Sequence, residues 1–214
     1  MGFDFVWILK SIPAVILGLT VHELAHGYTA YRLGDSTAKD DGRITLNPMK
    51  HLDPLGFLLI VVAGFGWAKP VIFNPGNLKH KHRDEILISL AGPFSNLLLG
   101  MVFLLVARAF YAWEFFSTTD VGLAVVNLLI LWAVINFGLF LFNLIPIPPL
   151  DGSHLYTTFL KQTNPVLFQR LYQYGTWGLL IVIVLQNFTK VEILPLGTLV
   201  RGMTNLSLSL LGFE

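Results

Sequence analysis

The sequence contains no cysteine. This absence excludes disulfides, thiol catalysis and thiolate metal sites, so a bound metal ion would have to use histidine and carboxylate ligands. Charged residues are also scarce, at 13%, compared with about 25% in soluble domains. The net charge is only +1 and no basic stripe with interleaved aromatic residues is present, which argues against a nucleic-acid partner. With 54% hydrophobic residues, the composition indicates a protein of the lipid bilayer.

Long apolar runs are what the chain has in quantity. A membrane-spanning helix needs about 20 mostly apolar residues. The run at 55–66 is shorter and is better suited to a re-entrant segment, whereas the tail at 193–213 could span the membrane or lie at its surface. Runs of sufficient length predict four spans, at 3–33, 86–116, 121–145 and 171–188.

Two short runs on either side of the re-entrant segment have β character. They read RITLNP (43–48) and PVIFNP (70–75), and each ends in Asn-Pro, a turn signal. They predict either a small sheet at the membrane surface or two unrelated loop strands. The expected fold is therefore an all-α polytopic membrane protein of about four to six transmembrane helices, with a membrane-surface β-element and a re-entrant segment.

The polar residues of the first apolar run form the pattern HELAH. His22 and His26 are four residues apart, so they project from one face of a helix and can bind one metal ion. A bound zinc ion lowers the pKa of a water molecule towards about 7, and the adjacent Glu23 can take the proton. Ionisable groups at membrane depth usually mark function. The alternative is a hydrogen-bonded histidine pair that packs a helix interface.

A catalytic zinc site needs a third protein ligand. Asp151 follows a proline-rich stretch, 146–149, which breaks a membrane helix and frees polar groups that are tolerated only around a polar cavity. Its carboxylate could complete the metal site or cap the next helix. His51 could also approach the site or cap a turn, whereas His80 and His82 belong to a basic loop and are expected to be solvated.

Three motifs in one order resemble the site-2 protease family of intramembrane zinc metalloproteases. They are HELAH, then AGPFSN (91–96) at the start of a membrane helix, then NLIPIPPLDG (143–152). The resemblance implies the following roles: zinc ligands His22, His26 and Asp151, general base Glu23, and a substrate-backbone or oxyanion contact Asn143.

The resemblance also implies the organisation of the chain. Only 21 residues precede His22, which is typical of a compact form without PDZ or CBS domains. We expect a single intramembrane metalloprotease domain over 1–214, with a catalytic core over about 3–155 and C-terminal helices over about 156–214. The protein is expected to be multi-pass in the cell membrane, with one zinc ion and with its active site towards the cytoplasmic side, where Lys and Arg cluster.

The expected partners are the lipid bilayer and a transmembrane protein substrate; the sequence predicts no oligomeric state. Because carbonyls in a helical substrate are already hydrogen-bonded, the substrate must unwind. The edge of the predicted sheet could accept it as an added strand. The contact residues would be Ile44, Leu46, Val71 and Phe73. Alternative functions are a membrane zinc hydrolase of a non-peptide substrate and a non-enzymatic metal-binding or transport protein.

Overall fold

The computed structural model describes residues 5–63, 66–189 and 191–213, and this part of the chain is mostly helical. Three of the predicted apolar runs, at 3–33, 86–116 and 121–145, form long helices. The α-helices in chain order are α1 (Phe5–Arg32), α2 (Thr37–Asp40), α3 (Pro54–Ala63), α4 (Lys81–Tyr111), α5 (Glu114–Thr118), α6 (Asp120–Asn143), α7 (His154–Thr163), α8 (Pro165–Thr189) and α9 (Leu196–Leu210).

Helices α1, α4 and α6 are long and apolar enough to cross a membrane. With 28, 31 and 24 residues, each exceeds the about 30 Å of a bilayer core at 1.5 Å per residue. They confirm the predicted spans at 3–33, 86–116 and 121–145 to within a few residues. The three helices pack against one another and form the body of the molecule.

The predicted number of four to six spans is not reached in the described residues. Helix α8 covers the fourth predicted span, but polar residues at 172–176 lower its mean hydropathy, and it is not among the three candidates. Helix α9 has 15 residues, about 22 Å, which is too short for a full crossing. Helix α3 has ten residues and has the short length expected of the segment at 55–66.

The predicted surface sheet is not formed in the described residues. Residues 44–46 are bends and residues 70–74 are extended without a strand partner. The described part of the chain contains one β pairing, an isolated antiparallel bridge between Leu52 and Ala68. The physical reason is that charged side chains already bind much of the backbone of the second segment, so those groups are not free to form a ladder.

Small residues bring the three long helices close together. A Cβ on Gly18 of α1 would lie 2.8 Å from the Asn136 side chain of α6, and one on Gly100 of α4 would lie 2.6 Å from the Phe137 ring. Close backbone approach through small residues is the usual way in which membrane helices pack. Beside these contacts lies the apolar core, which consists of Phe103, Leu104, Ala133 and Phe137, with residues of α9 packed against it.

Candidate metal centre

The HELAH residues lie in the buried part of α1. His22, Glu23 and His26 have 6%, 7% and 9% of their surface exposed. The two imidazoles, one helical turn apart, meet edge to face with ring centroids 4.6 Å apart. Because α6 ends at Asn143, before the prolines, the chain can turn back through a short 3-10 helix, Asp151–Ser153, ahead of α7.

Three potential ligand atoms meet at this point. His22 Nε2 lies 3.0 Å from His26 Nε2, and Asp151 Oδ2 lies 3.1 Å from the first and 3.5 Å from the second. Ligand atoms about 2.0 to 2.1 Å from a tetrahedral zinc ion lie about 3.3 Å from one another, so these separations match one face of such a site. In the residues that the structure describes, no other group of histidines and carboxylates could hold a metal ion in this way.

The other ring nitrogens are hydrogen-bonded, which determines the tautomers. His26 Nδ1 lies 2.7 Å from the carbonyl oxygen of Ile88. Because a carbonyl oxygen only accepts, Nδ1 carries the hydrogen and donates, and Nε2 of the neutral ring keeps its lone pair. The partner of His22 Nδ1 is the side-chain oxygen of Asn96, at 2.7 Å.

Asn96 has a single possible orientation because two acceptors surround its amide nitrogen. Its Nδ2 donates to the carbonyl of Gly18 at 3.0 Å and to Asn136 Oδ1 at 3.1 Å. Its Oδ1 therefore accepts from His22, while Asn136 Nδ2 donates to the carbonyl of Trp132. Both asparagines are fully buried. This hydrogen-bonded relay crosses from α1 through α4 to α6 and directs the His22 Nε2 lone pair towards His26 and Asp151.

When both histidines are neutral, the lone pairs of His22 Nε2, His26 Nε2 and Asp151 Oδ2 face one another, and no hydrogen atom lies between them. Asp151 Oδ2 is buried, and no residue in the described ranges donates a hydrogen bond to it. A cation placed among these atoms would satisfy all three. Two imidazole nitrogens and a carboxylate oxygen are ligands that zinc accepts, and three is the number of protein ligands in catalytic zinc sites. The residues present therefore fit a zinc ion.

Gly92 of α4 lets the metal-binding side chains occupy this position. A Cβ at Gly92 would lie 2.6 Å from His26 Cε1 and 2.7 Å from His22 Cε1, with a still closer contact to His26 Nε2. Such distances are well inside van der Waals contact, so any side chain here would displace the rings. The glycine of AGPFSN is required by this close approach.

Glu23 contacts the chain that follows α3. Its Oε2 accepts a hydrogen bond of 2.8 Å from the backbone N–H of Val71. Glu23 is also not a member of the group that could hold the metal ion. Glu23 follows His22 directly on α1, and its role as general base stays a prediction.

Asp35 and Arg43, which precede α3, form hydrogen bonds with the segment that Glu23 also contacts, the chain that follows α3. Asp35 is fully buried and accepts hydrogen bonds from the Asn74 backbone and the Asn77 side chain. Burial alone would raise the pKa of the Asp35 carboxyl, but hydrogen bonds from Thr37, Asn77 and Asn74 hold it below its usual value.

Asn143 is the last residue of α6, and its amide donates to the carbonyl of Leu139 at 3.0 Å. No hydrogen bond in the described part of the chain joins it to the three ligand residues. Ile44 and Leu46 line a groove beside α1, whereas Phe73 packs against a small apolar cluster that includes Ile88.

Four other histidines lie outside the cluster, and of these His80, just before α4, is exposed as predicted. His51 is fully buried and donates to the carbonyl of Thr45 at 2.8 Å, so it ties a turn together. His82 pairs with the Thr158 hydroxyl and is not merely solvated. Burial lowers the pKa of His154, which begins α7.

A model of peptidase family M50 matches residues 11–185, which include every residue of the cluster. The chain belongs to peptidase family M50. The predicted membership of the site-2 protease family is thereby confirmed, and membrane-spanning lengths in α1, α4 and α6 agree with an integral membrane protein of that family. No solved structure matches the chain.

Curated relatives of this M50 chain come from two groups of bacteria. A Bacillus subtilis protein, YwhC, named as a candidate zinc metalloprotease, is 43% identical over 81% of this chain and 78% of its own length. Rip2 of Mycolicibacterium smegmatis, named in the same way, is 33% identical over 81% of this chain and 65% of its own length. For Rip2 of Mycobacterium tuberculosis the identity is 32%, over 66% of this chain and 53% of the relative.

The sequence did not predict that four residues of this M50 chain contact the surroundings of the centre: Asn96, Asn136, Asp35 and Arg43. Asn96 lies in the quoted AGPFSN segment, four residues after Gly92 on the same face of α4. A polar residue at that position of an apolar helix was a usable signal. Asn136 offered the same signal on α6, whereas nothing local distinguishes Asp35 and Arg43 from ordinary loop charges.

Proposed function

We propose that this chain is an intramembrane zinc metalloprotease that hydrolyses peptide bonds in transmembrane or membrane-proximal segments of protein substrates. His22, His26 and Asp151 hold one zinc ion. The observation that supports this best is the convergence of His22 Nε2, His26 Nε2 and Asp151 Oδ2 within 3.5 Å, with no donor to the buried carboxylate oxygen in the described residues. This group lies beside Glu23 between helices that are long enough to span a membrane.

When bound, zinc supplies a Lewis acid that polarises the scissile carbonyl and acidifies water. Glu23 is the general base: it takes the proton of the attacking water and returns it to the leaving amine. Its Oε2 is engaged by the Val71 N–H, so Oε1 is the oxygen left for that transfer.

Asn143 contacts the substrate backbone or the developing oxyanion in this proposal. It ends α6 just before the prolines that lead to Asp151, and among the described residues its amide is bonded within its own helix turn, to Leu139. An amide in that state can change partner without breaking a contact between helices.

The substrate would dock along residues 44–46. Ile44, Leu46 and Tyr28 line an apolar groove of about 440 Å³ between this segment and α1. No acceptor within the described ranges pairs with the backbone N–H groups of residues 44–46, so an unwound substrate segment can bind them as an added strand. The apolar groove would then receive substrate side chains, and the site lies towards the cytoplasmic half of the cell membrane.

Val71 and Phe73 are the other two proposed substrate contacts. Their side chains lie in the neighbouring segment, where the N–H of Val71 already binds Glu23. Proline at Val71 would therefore remove a catalytic contact as well as a docking contact, which makes Ile44 and Leu46 the better positions for a docking test.

The function is tested by zinc analysis of the wild type beside Glu23→Gln and Asp151→Ala, with cleavage of a reporter that carries one transmembrane segment measured in the same vesicles. We expect Glu23→Gln to keep stoichiometric zinc and lose cleavage, and Asp151→Ala to lose both. Preserved cleavage in Glu23→Gln, or stoichiometric zinc in Asp151→Ala, would contradict the proposal.

Docking is tested by Leu46→Pro, with Leu46→Ala as the matched control that keeps the backbone N–H. We expect proline to reduce cleavage while zinc stays bound, and alanine to have the smaller effect. Undiminished cleavage by zinc-loaded Leu46→Pro would refute strand addition.

A further inference from the structure

Residues 69–77, which we term the strap, connect the region after α3 to the start of α4. Residues 69–74 of the strap belong to no helix or strand of the described chain, and a short 3-10 helix, Pro75–Asn77, ends it. No strand pairs with it in the described part of the chain. The N–H of Lys69 donates to the backbone carbonyl of His51 at 2.7 Å. Side chains from residues 23–43 bind the strap backbone at three further points.

Arg43 holds the first point. Its Nη2 donates to the carbonyl oxygens of Lys69 and Pro70, and the side chain is almost fully buried, with 3% exposed. The described residues include no carboxylate within salt-bridge distance of this guanidinium, so its hydrogen bonds go to strap backbone. A buried guanidinium is costly unless its donors are used, which makes the position of the strap and that of Arg43 interdependent.

Asp35 holds the last point. Its Oδ2 accepts from the Asn74 backbone N–H at 2.7 Å and its Oδ1 from the Asn77 side chain at 2.7 Å. Oδ1 also accepts from the hydroxyl of Thr37 at 2.6 Å, which fixes the carboxylate relative to the end of α1. Asp35 is fully buried, so both carboxylate oxygens depend on these donors.

Glu23 contacts the strap between these two points, where the Val71 N–H donates to its Oε2 at 2.8 Å. One turn further along α1, a Cβ on Gly27 would lie 3.4 Å from the Val71 side chain and 3.2 Å from Ala38. The Val71 side chain therefore packs against α1 one turn from Glu23, and the tighter of the two contacts at Gly27 is the one with Ala38.

We propose that the strap is a positioning element for Glu23, and that Asp35 and Arg43 are positioning residues that act on the general base through it. Val71 N–H fixes one carboxylate oxygen and so sets the direction of the other. Asp35 and Arg43 bind the strap on either side of Val71 and so fix the distance between Val71 and α1. This inference rests on the proposed role of Glu23 as general base.

The geometry explains why two buried charged side chains, Asp35 and Arg43, bind one short segment. Proton transfer depends steeply on the position of the base, and a displacement of about 1 Å can reduce the rate about 100-fold. An extended segment without strand partners has no ladder to hold its own position. Buried hydrogen bonds from charged groups supply that rigidity at both ends.

The test uses purified zinc-loaded protein and acetohydroxamate as the probe. A hydroxamic acid chelates zinc through two oxygens and gives its hydroxyl proton to a neighbouring carboxylate, so its affinity reports the position of Glu23 without any natural substrate. The variants are Asp35→Asn, Arg43→Gln and the milder Asn77→Ala, which removes one strap bond from an exposed residue. Acetohydroxamate affinity, zinc affinity and melting temperature are measured for each.

We expect Asp35→Asn and Arg43→Gln to weaken acetohydroxamate binding about tenfold, as loss of a hydrogen bond to a charged group does, with zinc affinity unchanged. Asn77→Ala should give a smaller loss in the same direction. Val71→Pro removes the N–H and should match the larger losses, whereas Val71→Ala keeps the N–H and should lose less affinity than Val71→Pro. Asp84→Asn is the matched control, since Asp84 is a buried carboxylate that accepts from the backbone of His80, outside the strap.

Coupling provides the decisive measurement. The double variant Asp35→Asn with Val71→Pro should bind no more weakly than Val71→Pro alone, because Asp35 acts through the same contact. Wild-type affinity in Val71→Pro, or additive losses in the double variant, would overturn the inference. If Glu23→Gln itself leaves acetohydroxamate affinity and cleavage unchanged, the proposed function has failed instead. Should a variant at Asp35 or Arg43 not fold, Asn77→Ala and the Val71 pair decide the matter.

Discussion

The three-helix bundle and the irregular region between α1 and α4 fix polar groups by different means. In the bundle, the relay from His22 through Asn96 to Asn136 joins side chains of three helices. In the irregular region, Asp35 and Arg43 bind mainly backbone groups of the strap, whose regular structure is the short 3-10 helix at its end. Both sets of polar side chains are buried. The relay ends at His22 and the contacts of the strap end at Glu23, the next residue of α1.

The difference follows from where the backbone hydrogen bonds are made. A helix satisfies most of its own N–H and C=O groups, so interhelical polar contacts fall to side chains, here amides that hold a ring in one tautomer. An extended segment without a ladder leaves its backbone groups open, so charged side chains can bind them. In this proposal the first device positions a metal ligand and the second positions the base.

The largest effect expected in the bundle is from Asp151→Ala. Removing one of three ligand atoms should reduce zinc affinity by more than the about 10- to 100-fold typical of losing an outer partner. Cleavage should fall with it, as measured by metal analysis after dialysis. Asp53→Ala, which removes a carboxylate that only caps the start of α3 at Gly56, is the control and should keep zinc.

Asn96→Leu should have the next largest effect, an about 10- to 100-fold loss of zinc affinity. It leaves the Nδ1–H of His22 and the oxygen of Asn136 without their partners. Asn96→Asp keeps an acceptor for His22 and should retain more of the affinity, measured by competition with a chelator. Equal affinity in Asn96→Leu and wild type would show that the relay does not orient His22.

Gly92→Ala should destabilise the protein by about 1 to 3 kcal/mol, the usual range for overpacking. The added methyl group would overlap both imidazoles, so zinc should bind more weakly as well. The measurements are thermal unfolding and zinc titration in detergent.

Gly138→Ala on α6 is the matched control, because a Cβ there has no atom within 4 Å. It should be neutral or stabilise by up to about 1 kcal/mol through helix propensity. Similar destabilisation by both substitutions would mean that the Gly92 effect is not due to the histidines.

The smallest expected effect is a dependence on pH of amide hydrogen exchange in residues 69–77. The pKa of Asp35 is lowered by its hydrogen bonds in the folded state, so Asp35 contributes stability above the unfolded value of about 3.9 and loses it as pH falls through the lower folded value. Amide hydrogen exchange in residues 69–77 should therefore accelerate from about pH 4 downward relative to the bundle. Asp35→Asn should lack this acid-dependent component; if its exchange follows the same pH profile as wild type, Asp35 is not the group responsible.

The long helices and the proposed metal ligands were predictable because their signals are local. Apolar length alone predicted α1, α4 and α6, and the i, i+4 spacing of His22 and His26 predicted a shared face. Asp151 was more difficult, because the residues also allowed a helix cap. Its carboxylate in fact lies against the imidazoles, and the helix that follows has no side-chain cap.

The predicted surface sheet is not confirmed, although its signals were equally local. RITLNP and PVIFNP have strand-like composition, but composition does not say which partner each backbone group finds. Val71 and Asn74 donate to Glu23 and Asp35, and those contacts take the place of a ladder. The count of spans also exceeded what the described helices support, because α8 has the length of a span without the hydropathy.

The sequence by itself determined the chemistry that is available: no thiolate, two histidines on one helix face, a carboxylate after a proline break, and three helices long enough for a bilayer. Each of these is set by residue type and by spacing along a few helical turns. Only the tertiary structure decided that Asn96 and Asn136 orient His22, that Gly92 makes room for the rings, and that Asp35 and Arg43 hold the strap over Glu23. These contacts join residues 26 to 78 positions apart, and the partner that a buried polar group finds at such separations depends on how the helices pack.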